Sequence, residues 1–142
     1  MGLGGTPPEY TVRKTRDKSS IYLLGYIYRL DDRGGLDMSG SEIRVLLVCL
    51  GNICRSPMAE SVMRFHHVEN ALTDRFIVDS AGTSGFHAGE QADPRTLDVL
   101  QRHGAPQPSR SRALTVEDFN TYDWIIGMDR ANLRNMEKLC PP

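Results

Sequence analysis

A chain of 142 residues fits one domain, and a formal net charge of -1 supplies no basic surface for nucleic acid or for an anionic membrane. Three cysteines make an odd count without framework spacing, which points to thiol chemistry in a reducing, cytoplasmic compartment rather than to secreted disulfides. The four histidines, His66, His67, His87 and His103, lack metal-ligand spacing, so no metal and no cofactor is expected.

Residues 1–41 differ in texture from the remainder. Glycine and proline open the chain, residues 13–18 are charged, and residues 21–30 (IYLLGYIYRL) form an isolated apolar patch. The patch is too short to span a bilayer, and no small-residue cleavage site follows it. It reads either as a strand or short helix docking on the domain, or as a tail without a stable fold. The division expected is a poorly ordered extension over 1–41 and a domain over 42–142. Met38 followed by Ser-Gly-Ser-Glu reads as a natural start, which makes residues 1–37 an upstream extension.

The domain opens with Val45, Leu46, Leu47 and Val48, an unbroken apolar run that is β-branched at both ends. A strand buried on both faces has that pattern. It ends at Cys49. Pro57 suits the first turn of a helix, and Met58, Val62 and Phe65 recur at helical spacing as its inner face to about Val68 or Glu69. His66 and His67 fall on its solvated side. Phe76, Ile77 and Val78 form a second buried strand, ended by Asp79-Ser80-Ala81-Gly82. Strand, helix and strand in that order imply a right-handed parallel crossover.

Asp93-Pro94-Arg95 opens a second helix with a cap and a proline, Leu97 and Leu100 mark its inner face, and Gly104 ends it. Arg110 and Arg112 in the next loop are expected in solvent. Thr115 with Asp118 has the form of a capping box for a short helix. Residues 122–128 read as a third strand with Trp124 in the core, and Asp129 caps a last helix through Leu139.

The chemistry concentrates where the first strand meets the first helix. A helix N-terminus carries unpaired amides and the positive end of a dipole, which favours an anion. Phosphoryl transfer to an enzyme needs a nucleophile beneath donors that cancel charge on the equatorial oxygens. Cys49 can supply a thiolate, since cysteines beside helix ends and cations drop from about 8.5 to roughly 3.5–7.5. Amides of Leu50, Gly51, Asn52, Ile53 and Cys54 can line the cup, with Gly51 relieving the steric limits of the bend. Arg55 offers a planar fork for two phosphate oxygens. Ser56 is placed to hydrogen-bond the sulfur and stabilise it as a leaving group.

Residues 48–57, VCLGNICRSP, resemble the signature of the low-molecular-weight protein-tyrosine phosphatases. The resemblance extends over about residues 42–139. It implies a three-layer α/β/α fold with a small parallel, doubly wound sheet in flavodoxin-like order. It also implies hydrolysis of phosphotyrosine through a phosphocysteine intermediate, with Cys49, Arg55 and Ser56 catalytic. Ser80 corresponds to a serine that bonds the loop asparagine, here Asn52, and holds it in a left-handed conformation. Phe86 stands where the family puts an aromatic ring at the pocket rim; it reads equally well as a loop anchor. Cys54 either packs or, as the resemblance implies, forms a reversible disulfide with Cys49.

Two departures stand out. Ser109 occupies a loop position where the family often has histidine. The family's last strand, its Asp-Pro general-acid loop and its closing helix are missing, because the chain stops at Cys140-Pro141-Pro142. Loss of a general acid costs about 10²–10⁴ in rate, which predicts impaired turnover of tyrosine phosphate. The loss also predicts a marginally stable domain with part of Ile125, Ile126 and the first helix exposed. The expected partners are a phosphotyrosine-containing protein or a small aryl phosphate, with no nucleic acid and no membrane; oligomeric state is left open. Other readings are an arsenate reductase on the same fold, for which Cys140 is the one downstream cysteine, or a non-catalytic phosphate-binding fragment. A protein-arginine phosphatase is a further option, disfavoured by Ile53 where that branch has threonine.

Overall fold

The computed structural model describes residues 42–73 and 75–141 in full, and four N-terminal strands by their backbone. These strands are β1 (Val12–Lys14), β2 (Ile21–Leu23), β3 (Tyr26–Leu30) and β4 (Leu36–Asp37). The remaining readings of residues 1–41, including a start at Met38, lie outside the described residues. β2, β3 and β4 form an antiparallel sheet in that order, with Ile21 opposite Tyr28 and Leu30 opposite Leu36.

The second sheet carries the site. Its order is β1-β7-β5-β6, where β5 is Ile43–Cys49, β6 is Phe76–Gly82 and β7 is Trp124–Gly127. β5 is central and runs parallel to both neighbours, with Val45 opposite Val78 on one side and Trp124 on the other. β1 adds antiparallel on the far side of β7, pairing Arg13 with Ile125. The parallel strands thus follow the order second, first, third along the chain, the doubly wound flavodoxin-like arrangement. β5 is buried from Val45 to Cys49, as a strand covered on both faces must be.

Successive side chains of β5 feed two separate cores. Leu46 and Val48 pack with Ala81, Leu114, Phe119, Tyr122, Ile125 and Met136. That face is closed by the short helix α3 (Asp118–Thr121) and by α4 (Arg130–Leu139). Val45 and Leu47 pack with Val78 and Trp124, against Ala59 and Met63 of α1 (Arg55–Glu69). The result is three layers, with α2 (Pro94–Arg102) beside α1. No helix among the described residues is long and apolar enough to cross a membrane.

α1 starts at Arg55, so Pro57 is its third residue, still inside the turn whose N–H groups have no intrahelical partner to lose. Its inner face differs from the one read from Met58, Val62 and Phe65. Val62 is 41% exposed, and the buried residues are Ser56, Pro57, Glu60, Ser61 and His67. The helix packs on the sheet through Ala59 and Met63 while polar groups on the same side serve the adjoining loop. The solvated placement of His67 is likewise corrected: its ring is buried and stacks on Phe76 at 4.5 Å. Ile125 is also fully buried rather than exposed, because α4 brings Met136 over it. Asp93 accepts from Arg95 N at 2.9 Å as the α2 cap, and Gly104 beyond its end has φ +68, the left-handed region that glycine enters freely.

Burial, reinforced by the neighbouring His66, holds the His67 imidazole below its ordinary value. As pH falls below about 6.5 the unfolded chain therefore takes up this proton before the folded one, and stability declines until the folded-state value is passed. Replacement His67→Phe keeps the stack and removes the proton. Urea unfolding at about pH 7.5 and about pH 5.5 should show a smaller loss on acidification for the variant than for the parent.

Candidate active site

The loop between β5 and α1 is fixed by its carbonyls. Cys49 O accepts from Thr83 N (2.9 Å), Leu50 O from Ser84 N (2.9 Å), Gly51 O from Ser111 Oγ (3.1 Å) and Ile53 O from Asp93 N (2.7 Å). With these oxygens tied to surrounding loops, the segment curls over the sulfur of Cys49. Asn52 N donates to Cys49 Sγ at 3.2 Å, and Ser56 Oγ donates to it at 3.0 Å. α1 has no side-chain cap and no acidic residue in its first turn, so its positive end is not neutralised from within the helix.

Asn52 is the pivot of the curl. Its φ is +54, and its side chain is engaged at both ends. Nδ2 donates to Ser56 Oγ (3.0 Å) and to Ser80 Oγ (2.8 Å), while Oδ1 accepts from Arg112 N (2.8 Å). Behind Ser80 lies Glu60, 0% exposed, which accepts the Ser80 hydroxyl on Oε2. Its Oε1 accepts from Ser109 N (2.9 Å), Ser109 Oγ (2.8 Å) and Arg64 Nη1 (2.7 Å). Ser109 thus closes directly on the buried carboxylate. Gly82 sits against the same loop, where a Cβ would lie 2.8 Å from the carbonyl oxygens of Leu50 and Ser84.

Burial pushes the Cys49 thiol up. The hydrogen bonds from Ser56 and from the Asn52 amide, with the charge of Arg55, outweigh that and bring it below the ordinary thiol value. Arg55 stands at the rim with Nη1 on Asp129 Oδ2, and this pair reinforces its charge. Asp129 also caps α4, accepting from Asn132 N at 2.7 Å. An open cleft of about 600 Å³ leads to the sulfur, lined among others by Ile53, Cys54, Arg55, Phe86, His87 and Glu90. Phe86 is 91% exposed at its edge. Cys49, Cys54 and Cys140 are free thiols. Cys140 packs against the core that contains Leu46 and Val48 and does not line the cleft. Among the described residues no group of His, Cys, Asp or Glu is gathered to hold a metal.

Comparison with known proteins bears on this arrangement. Residues 44–141 match the family described as low molecular weight phosphotyrosine protein phosphatase. The chain belongs to that family. It is 48% identical over 101 residues to the low molecular weight phosphotyrosine protein phosphatase of Schizosaccharomyces pombe, covering 70% of this chain and 65% of that protein. The Homo sapiens protein of the same name is 46% identical over 94 residues, covering 66% of this chain and 60% of its own length. The crystal structure of a protein tyrosine phosphatase from Entamoeba histolytica with Hepes in its active site superposes with a TM-score of 0.68 at 43% identity, covering 70% and 64%. The chain therefore spans under two thirds of the length of these relatives.

The sequence-derived residues of the family signature, Cys49 to Ser56, converge here with Ser80 and Phe86. Several contributors were not read from the sequence. Arg112, expected in solvent, instead pairs with Asp79 and Asp118 and offers its amide to Asn52. Glu60 and Arg64 lie on the side of α1 opposite the face marked by Met58, Val62 and Phe65, where the apolar pattern places solvent. His87 and Glu90, joined at 3.0 Å, had no motif to announce them, although their place in a glycine-spaced loop beside Phe86 was a usable signal. Asp129 was read as a cap and also meets Arg55.

Glu60→Gln leaves one acceptor oxygen where two served four donors, and turns an NH₂ toward groups that need an acceptor. The variant should lose about 3 kcal/mol of unfolding free energy. Denaturant titration followed by Trp124 fluorescence measures this; an unchanged midpoint means that the carboxylate does not anchor the loop.

Proposed function

We propose that the chain carries the nucleophilic half-reaction and phosphate cup of a phosphotyrosine protein phosphatase, with residues 42–142 as the phosphatase domain and 1–41 as an extension. The observation that carries this reading is Cys49 Sγ accepting hydrogen bonds from Asn52 N and Ser56 Oγ beneath the start of α1, beside Arg55. A thiolate so held is nucleophilic near neutral pH, and the surrounding donors match the charge of a phosphoryl group.

In the first step the Cys49 thiolate attacks phosphorus, the P–S bond forms, and the P–O bond to the aryl group breaks as that oxygen takes a proton from solvent water. In the second, water attacks phosphorus, gives its proton to solvent, and displaces the thiolate, releasing inorganic phosphate. Arg55 holds equatorial oxygens through both steps. Ser56 stabilises sulfur as it leaves. Asn52 and Ser80 keep the cup closed, and amides from Leu50 to Cys54 line it. Phe86 and Ile53 offer apolar surface to an aromatic substrate ring at the mouth. The substrate class is a phosphotyrosine-containing protein or a small aryl phosphate. Three free thiols support a reducing, cytoplasmic setting.

The test is a single-turnover experiment with a ³²P-labelled phosphotyrosine peptide, quenched in acid. The label should be found covalently on Cys49, and Cys49→Ser should carry none. Inorganic phosphate in excess should slow labelling of the parent. Labelling equal in parent and Cys49→Ser, or none in either with no protection by phosphate, refutes the assignment.

A further inference from the structure

Three groups reach Asn52, and the role of one of them is not explained by the chemistry above. Ser56 bonds the sulfur as well as Asn52, and Ser80 leads to Glu60. Arg112 contributes a main-chain N–H to Asn52 Oδ1 at 2.8 Å, yet its side chain is among the most heavily engaged in the domain. Nε and Nη2 donate to Asp79 Oδ2 at 3.1 and 3.0 Å. Nη1 and Nη2 donate to Asp118 Oδ2 and Oδ1 at 2.9 and 3.1 Å, a fork meeting a carboxylate with both prongs. Tyr122 Oη completes the set by donating to Asp79 Oδ2 at 2.9 Å. The guanidinium thus ties the middle of β6 to the start of α3.

The main chain at this point is pinned as well. Arg112 O accepts from Gly82 N at 2.9 Å, and Leu114 N donates to Gly82 O at 2.7 Å, so residues 112–114 run as a short parallel bridge along the end of β6. Gly82 in turn lies opposite Cys49 in the sheet register. The clamp on the side chain and the bridge on the backbone leave the Arg112 amide a single direction, toward Asn52.

We propose that Arg112 is a positioning residue for Cys49: its guanidinium, clamped by Asp79 and Asp118, aims its own amide at Asn52 Oδ1 and so holds the Asn52 amide on the sulfur. The inference rests on the reading of Cys49 as the nucleophile. It adds that three side chains outside the cup, Asp79, Asp118 and Tyr122, help set the ionisation of the thiol. Burial opposes the charge on Arg112, and the two carboxylates overcome this and hold it firmly protonated. Burial first, then the charge of Asp79, pushes the Tyr122 phenol up to about 12, so it stays a donor throughout the working range. The other charged or titratable groups facing Cys49 are Arg55, with Asp129 behind it, and Cys54, His87 and Glu90 in the cleft.

The experiment measures the pH dependence of iodoacetate alkylation at Cys49, located by peptide mass mapping, in the full chain and in two variants. Arg112→Lys keeps a positive charge but replaces the fork by a point charge that cannot bridge both carboxylates. The alkylation midpoint should rise by about one pH unit in Arg112→Lys as the Asn52 amide loses its aim. Tyr122→Phe removes one hydroxyl from Asp79 and should shift the midpoint upward by less. A melting temperature that falls while the midpoint stays at the parent value makes Arg112 a purely structural residue and overturns the proposal. Should Arg112→Lys not fold, Tyr122→Phe decides on the same criterion. A parent that alkylates like free cysteine overturns the phosphatase reading together with the clamp, whereas a low parent midpoint shared by the variants overturns the clamp alone.

Discussion

The site depends on Asn52 holding a left-handed backbone conformation. A residue with a Cβ gives up about 1–2 kcal/mol to sit there, asparagine less than most. Glycine would adopt φ +54 without strain but would leave nothing for Ser56, Ser80 and the Arg112 amide to bond. Each such bond contributes a net 0.5–1.5 kcal/mol or so, which together offsets the backbone cost. What the protein gains is direction. The left-handed residue reverses the chain tightly enough for its own N–H to point back at Cys49 Sγ, three residues earlier.

The rest of the fold delivers parts to that reversal. β5 lies at the centre of the sheet, and its parallel neighbours on both sides fix where Cys49 emerges. The end of β6 must come close, and Gly82 allows it, since any side chain there would strike the carbonyl oxygens of Leu50 and Ser84. α1 gives up part of its apolar face to Ser56, Glu60 and Ser61, buried polar residues that contribute hydrogen bonds rather than hydrophobic burial. Such groups are tolerated only when every lone pair and proton finds a partner, and Glu60 meets that condition with four donors. The apolar load falls instead on the two cores on either side of β5.

This division explains which parts were legible in the sequence. β5, the Asp93-Pro94 helix start, the Gly104 stop and the Asp129 cap are decided by neighbours within a few residues, and each could be read directly. Hydrophobic periodicity reports apolar burial and is blind to a buried polar face, so it selected Val62 and passed over Glu60 and His67. Arg112 and Arg110 look alike in a basic loop. The chain brings Asp79 to Arg112 across 33 residues, Glu60 to Ser109 across 49, and Arg55 to Asp129 across 74. No local pattern encodes such pairings; they follow from the strand register, which is itself a product of the whole fold. The signature around Cys49 was readable because its chemistry is compressed into eight consecutive residues, Cys49 to Ser56.

The resting state of Arg55 follows from the same electrostatics. Beside the Cys49 sulfur, an unpartnered guanidinium at the rim would swing freely and would lose much of its rotamer entropy on capturing a phosphate. Contact with Asp129 fixes it near the cleft beforehand. The pair is open to water, with side chains 51% and 40% exposed, so little Coulomb energy binds it. In the proposed reaction a doubly charged phosphate would offer two oxygens to the fork, in a site where the amide of Asn52 and the end of α1 already favour negative charge, and would outcompete a solvated carboxylate. Asp129 can release Arg55 without unravelling α4, because its other oxygen remains on Asn132 N as the helix cap. One aspartate thus meets the arginine and anchors the helix with separate atoms, so that in the proposed reaction the first contact would break at each turnover while the second persists.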